Sequence, residues 1–187
     1  MDSYIDIRVQ SMTELVDTHI LNTVYSKLHL QLSALNSGGV GVSFPEVDET
    51  KYTLGRSIRV HGSKHELVTL MATNWMMRLH DYAVASPILC TPSKVNYRIV
   101  HRVQVKSNPE RLQRRLMKRH GVGEDEAKQR IPNSIAQRTK LPFINVKSIS
   151  TGQDFKLFVS HGPLQSVASS GTFSSYGLSQ TASIPWF

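Results

Sequence analysis

Hydrophobic residues recur along this chain with two distinct periods. Ile5, Ile7 and Val9 alternate with Asp6 and Arg8, the two-residue repeat of a half-buried strand. Ile20, Leu21, Val24, Leu28, Leu32 and Leu35 then recur at three- and four-residue steps, which predicts a long helix. Gly38-Gly39 offers the left-handed residues that end helices. Val40, Val42 and Phe44 alternate as a second strand, and residues 56–61 read as a third. Ser63 and Glu66, three apart, form a capping box for a second helix through Leu67, Leu70 and Met71. In the long strand that follows, Val95, Tyr97, Ile99, His101, Val103 and Val105 line one face, with Arg98, Arg102 and Gln104 on the other. The order is β-α-β-β-α-β, so residues 1–105 predict a ferredoxin-like domain.

Ser107-Asn108-Pro109 stops that strand and opens a helix over residues 109–120, with Asn108 as cap and Pro109 where a missing N–H costs nothing. Gly121 and Gly123 break the chain again. Glu124-Asp125-Glu126 opens a short helix that Lys128 and Arg130 close, in keeping with the helix dipole, and Pro132 ends it. The rest is β-rich. Residues 143–147 and 155–159 read as strands flanking a turn at Ser150-Thr151-Gly152-Gln153, and 173–178 as a further strand. The expected fold class is α+β, with the ferredoxin-like domain followed by a less regular half over 106–187.

Composition narrows the function. A chain of 187 residues with 40% hydrophobic and 19% charged residues can bury a real core, which excludes a disordered tail, a collagen-like rod and a coiled coil. Nothing reads as a membrane span. Asp2 and Asp6 stand where a signal peptide needs basic residues, so a cytoplasmic location is expected. Cys90 is the only cysteine, which removes internal disulfides and Cys-cluster metal sites; beside Ile88-Leu89 it is expected to be a buried, inert thiol. His61 and His65 are four apart but straddle a strand end and a helix start, so no metal site and no cofactor are expected.

Charge changes the picture most. The chain carries 22 Lys+Arg and 14 Asp+Glu, a net +8. Residues 1–97 hold 8 basic and 9 acidic residues and residues 141–187 hold 2 and 1, so these stretches cancel; residues 98–140 hold 12 and 4, the whole excess. So local an excess is an electrostatic footprint for an anionic polymer. On a helical wheel Arg111, Arg114, Arg115, Lys118 and Arg119 fall within an arc of about 140°, with Leu112 and Leu116 beside it to dock the helix. Glu110 is the one acid inside that helix, so five like charges repel unless a phosphate backbone relieves them. A helix-turn-helix would need the cations on the second helix, which here opens with three acids. An RRM would need stacking aromatics on the strand at 56–61, which has none. An arginine-rich helix laid against a structured RNA, such as a hairpin stem, remains.

Several strings carry a resemblance. Gln104-Val105-Lys106-Ser107-Asn108-Pro109-Glu110-Arg111-Leu112, Lys140-Leu141-Pro142-Phe143, Ser150-Thr151-Gly152-Gln153, His161-Gly162-Pro163-Leu164 and Pro185-Trp186-Phe187 resemble the CRISPR RNA-processing endoribonucleases of type I-F systems. Gly41-Val42-Ser43-Phe44-Pro45 extends the likeness into the first half. The resemblance implies a metal-independent nuclease, without cofactor, that binds the repeat hairpin of a precursor transcript, cuts at the 3′ base of the stem and keeps its product. It also implies, as partners, the CRISPR RNA and the subunits of the type I-F surveillance complex. By the same likeness Arg114, Arg115, Lys118, Arg119 and His120 lie along the major groove of the stem, and Arg111, Ser150 and Thr151 also bind the RNA. Arg102 and Gln104 read base edges low in the stem, Phe155 stacks on the terminal base pair, and His29, Ser148 and Tyr176 form the cleavage centre. Lys118 departs from the family, which carries Arg there; an ammonium is a point charge and not a planar fork.

The residue types fit such chemistry. RNA is cut without a metal when its own 2′-hydroxyl attacks the adjacent phosphate, which requires a base near that hydroxyl. An imidazole with an ordinary pKa of about 6.5 is largely neutral at pH 7 and suits the task. His29 follows the core residue Leu28, at the edge of the buried stripe, from where it is expected to project from the body; an ordinary boundary histidine fits the same pattern. Ser148 has no Gly-x-Ser-x-Gly elbow around it, so it is expected to orient a ribose and not to attack. Tyr176 could orient His29 or be a half-buried strand aromatic, and Phe155 could be plain core. Two rival readings stand beside the nuclease: a non-catalytic subunit that holds a guide hairpin in an effector complex, and a general RNA-binding protein.

Overall fold

A computed structural model describes residues 1–11, 16–105, 109–132, 139–148 and 152–187. The class is α+β. The chain divides into two compact units, residues 1–103 with 141–187, and residues 104–140.

In the first unit, β1 (Ser3–Val9) is central to a five-stranded sheet. It pairs antiparallel with β3 (Ser57–Gly62), β4 (Ala83–Ala85) and the two-residue β5 (Leu89–Cys90), and β2 (Gly41–Ser43) pairs with β3. The strand order is β2-β3-β1-β4. Alternation in β1 sends Ile5, Ile7 and Val9 into the core. They share it with Ile20, Leu21, Val24, Leu28 and Leu32 of α1 (Asp17–Leu35) and with Leu67 and Leu70 of α2 (Lys64–Ala72). The capping box of α2 forms: the Glu66 amide donates to Ser63 Oγ at 3.2 Å, and the Ser63 amide to Glu66 Oε2 at 2.9 Å. On the other face of the sheet Arg59 reaches both carboxylate oxygens of Asp6, at 2.7 and 2.8 Å, between the rings of Tyr4 and Phe187.

Four expectations are corrected. Helix α1 stops at Asn36, itself left-handed at φ 46°, before Gly38-Gly39 is reached. The strand beside β1 is β4, and the long strand at 95–105 splits into β6 (Asn96–Arg98) and β7 (Val100–Val103), which join different sheets. The reason lies in the partner. Strand β9 (Asp154–His161) pairs with β7 as far as His161 and then meets Gly162-Pro163, where proline has no N–H to continue the ladder. Pairing resumes at the bridge between Tyr97 and Gln165, and β6 pairs with β10 (Ile184–Trp186). The split also moves the buried face: Val100 is core, on the same side as Arg102. Cys90 is exposed, as is Leu89 beside it, in a two-residue strand that pairs with β1.

The fourth correction concerns residues 173–178, which form a turn and no strand. The Gly177 amide donates to Ser174 O and the Ser174 amide to Leu178 O, closing the chain on itself. Gly177 has φ 67°, and a Cβ there would stand 2.3 Å from Val42 Cγ2, so only glycine fits. Through this turn the outer edge of β2 is closed, since the Val42 amide donates to Gly177 O at 2.7 Å.

In the second unit, α3 (Pro109–His120) and α4 (Glu124–Arg130) pack as a helical hairpin around Gly121-Val122-Gly123. The proposed Asn108 cap lies outside the described residues, as do Ser150 and Thr151 of the predicted turn. The strands that flank that turn do pair, β8 (Phe143–Lys147) against β9. Among the described residues no helix is long and apolar enough to cross a membrane.

Candidate functional site

Tyr25 and His29 stand one turn apart on α1, so both point the same way, toward the turn at 174–177. The Tyr25 hydroxyl donates to Tyr176 O at 2.8 Å, and His29 Nδ1 lies 2.8 Å from Ser175 O. A carbonyl only accepts, so Nδ1 carries a proton, and in the neutral ring Nε2 is left with the lone pair. The backbone of one turn therefore fixes His29 as the tautomer that can take a proton at Nε2. His29 is 4% exposed, a correction to its expected projection from the body: the turn covers one edge of the ring and a phenol covers one face.

That phenol is Tyr176, stacked on His29 at 4.2 Å with planes 10° apart. Phe155 meets Tyr176 edge-on at 6.4 Å and 89°. The Arg102 guanidinium carbon lies 5.2 Å from the Phe155 ring centre and 5.4 Å from that of Tyr176, in cation–π range. Register explains the convergence. Arg102 pairs with Val159 and Phe155 with Val146, so alternation puts Arg102 and Phe155 on the sheet face that carries Val146, Leu157 and Val159. Ser148 follows directly on the end of β8. Its amide donates to Gln153 O at 2.9 Å and its carbonyl accepts from Gly152 N at 2.8 Å, which holds it at the neck of the β8–β9 turn. The structure thus brings His29, Tyr176, Phe155 and Arg102 together and places Ser148 at the neck of the β8–β9 turn.

The second unit presents charge. Arg111, Arg114, Arg115, Lys118, Arg119 and His120 are on α3, the cations on its open face, and Gln104 is exposed just beyond β7. The most buried residue of α3 is Gln113, whose Nε2 donates to Ile131 O at 2.7 Å. Of the expected anchors, Leu112 is half-buried and so is Leu116. On α4 the charges neutralise internally, in the pairs Lys128–Glu124 and Arg130–Glu126, both at 2.6 Å. Excess positive charge is therefore concentrated on α3. Among the described residues no three His, Cys, Asp or Glu side chains are grouped as a metal site requires.

Sequence reasoning missed Tyr25 and the carbonyls of the turn. The four-residue spacing of Tyr25 and His29 was a usable signal, but the turn lies about 150 residues away along the chain. Burial pushes the Tyr25 hydroxyl far above its ordinary pKa, with Tyr176 adding to the rise, so it remains a donor at every physiological pH.

The fold is thus an α+β protein in which one unit holds an imidazole between a helix and a turn, with Nδ1 engaged, and the other unit exposes a cationic helix. The family described as CRISPR-associated protein (Cas_Csy4) matches residues 4–187, and the chain belongs to that family. It is 44% identical over 187 residues, all of both chains, to the CRISPR-associated endonuclease Cas6/Csy4 of Pseudomonas aeruginosa (strain UCBPP-PA14). It is 45% identical, again over the whole of both chains, to the protein of the same name from Escherichia coli (strain UTI89 / UPEC). A solved structure described as an RAMP protein binding different RNA substrates aligns with 98% of this chain and 99% of its own, at 11% identity and a TM-score of 0.35.

Proposed function

We propose that this chain is a CRISPR repeat endoribonuclease, which binds the repeat hairpin of precursor CRISPR RNA and cleaves at the 3′ base of the stem. The observation that carries this reading is the bond from His29 Nδ1 to Ser175 O, which leaves Nε2 as a base. Nε2 takes the proton of the 2′-hydroxyl as the 2′-oxygen bonds to phosphorus. The bond from phosphorus to the 5′-oxygen breaks as that oxygen takes a proton from water, and the hydroxide so formed takes the proton from Nε2, which returns the imidazole to its neutral form. The products are a 2′,3′-cyclic phosphate and a 5′-hydroxyl. The nucleophile belongs to the RNA, so no metal is needed to activate a water.

Tyr176 holds the imidazole plane, Ser148 orients the ribose, and Phe155 stacks on the terminal base pair with Arg102 over its ring. Arg102 and Gln104 read base edges. Arg111, Arg114, Arg115, Lys118, Arg119 and His120 follow the phosphates of the stem, and Ser150 and Thr151 add contacts to the RNA. In this reading residues 1–105 are a ferredoxin-like domain that bears the base, supported by the antiparallel order β2-β3-β1-β4, and residues 106–187 are the RNA-binding half with its arginine-rich helix. The retained CRISPR RNA links the protein to the other subunits of the type I-F surveillance complex in the cytoplasm.

Incubating labelled repeat RNA with the protein in EDTA tests the proposal. A single cut with a 2′,3′-cyclic phosphate end, abolished by a 2′-deoxy substitution at the cut nucleotide, supports it. Tight binding without a cut would instead make the chain a guide-hairpin-binding subunit, and equal affinity for unrelated hairpins would make it a general RNA binder.

A further inference from the structure

Three consecutive carbonyls of one turn are each held by a different donor. Ser175 O accepts from His29 Nδ1, Tyr176 O from the Tyr25 hydroxyl and Gly177 O from the Val42 amide. The first bond sets the tautomer of His29, and the residue between the first and third carbonyls carries the ring on which His29 stacks. The side chains that grip the turn thus come from adjacent turns of the same helix.

We infer that Tyr25 is a positioning residue for RNA cleavage, its hydroxyl locking the turn that fixes both the proton location and the ring plane of His29. The inference rests on the reading of His29 as the base. Tyr25 is 1% exposed and its ring packs at 5.9 Å against Phe44, so it cannot touch RNA and acts only through the turn. With the hydroxyl removed, Tyr176 O loses its side-chain donor, and the backbone around Ser175 and Tyr176 is free to shift. That shift withdraws Ser175 O from Nδ1 and tilts the Tyr176 ring away from the imidazole. The proton can then move to Nε2, and a protonated Nε2 is no acceptor for a 2′-hydroxyl. The Val42 bond is to the far end of the turn, at Gly177 O, and the bonds that close the turn use the carbonyls of Ser174 and Leu178, so none of them replaces the donor lost at Tyr176 O.

The experiment compares wild type, Tyr25→Phe, His29→Ala and Leu70→Val. Tyr25→Phe keeps the ring and its packing, and Leu70→Val lowers stability from a core site on α2. Single-turnover cleavage, hairpin affinity, melting temperature and the 15N shifts of the His29 ring are measured for each. Tyr25→Phe is expected to cut roughly tenfold more slowly, to bind the hairpin within about twofold of wild type, and to show His29 shifts of mixed tautomers. Leu70→Val is expected to cut at the wild-type rate with the Nδ1–H tautomer intact. The inference is overturned if Tyr25→Phe keeps wild-type cleavage and tautomer while His29→Ala is inactive, or if Leu70→Val slows cleavage as much as Tyr25→Phe does. Normal cutting by His29→Ala would instead overturn the assignment of the base itself.

Discussion

The imidazole of His29 lies flat on the phenol of Tyr176, 4.2 Å between ring centres and 10° from parallel. Such a stack fixes a ring plane, and Nδ1 bonded to Ser175 O fixes its rotation, so Nε2 has one direction in which to act. If orientation is what Tyr176 supplies, its ring matters and its hydroxyl does not. Tyr176→Phe is expected to cut at a rate within about threefold of wild type, and Tyr176→Ala roughly tenfold more slowly, given about 0.5–1.5 kcal/mol for an aromatic pair. Single-turnover rates on repeat RNA check this; a Phe variant as slow as the Ala variant would give the hydroxyl a chemical role.

The turn that carries Tyr176 depends on one glycine. Gly177→Ala puts a Cβ at φ 67° and within 2.3 Å of Val42 Cγ2. The left-handed conformation alone costs about 1–2 kcal/mol. The variant is expected to melt several degrees lower and to lose cleavage further than stability, since the seat of His29 is displaced. Calorimetry beside the cleavage assay separates the two losses.

Charge on α3 makes a prediction about salt. Replacing Arg114, Arg115, Lys118 and Arg119 together with alanine is expected to flatten the log–log dependence of hairpin affinity on salt by roughly 3, at about 0.7–0.9 for each phosphate no longer neutralised. Cleavage of RNA already bound should change little. Filter binding from low to moderate salt measures the slope, and an unchanged slope would remove α3 from the interface.

His61 and His161 titrate at about 3 and about 4 because burial disfavours their charged forms; Arg59 adds to this at His61, and Arg98 and His101 at His161. The unfolded chain, with histidines near ~6.5, therefore binds more protons than the folded one below that pH. Stability is full above about pH 6.5 and falls as pH drops toward the folded values, by about 1.4 kcal/mol per unit for each histidine. Urea midpoints between pH 7.5 and 5 should show the slope, and His161→Phe, which keeps a ring against Phe44 and Trp186, should roughly halve it.

Local signals were legible where the interactions are local. Ser63 and Glu66 announce their capping box because its partners are three residues apart, and β1 announces its buried face through strict alternation. The break at Ile99 was not legible, because its cause, Pro163, sits beyond the end of another strand. Residues 173–178 have the composition of a strand, yet Gly177 must pass Val42 too closely for any side chain, a constraint that tertiary packing alone imposes. His29 could be placed at the edge of a helical stripe, but its burial and its tautomer are set by the 174–177 turn, and no helical wheel contains that turn. The cationic face of α3 was legible from spacing, whereas its buried contact through Gln113 was not, since glutamine usually points to solvent.

The base assignment is tested most directly by His29→Ala on a matched repeat hairpin, with binding and single-turnover cleavage measured on the same preparation in EDTA. The account predicts affinity within a few-fold of wild type and no detectable cut product. Cleavage by His29→Ala at the wild-type site and rate would contradict it.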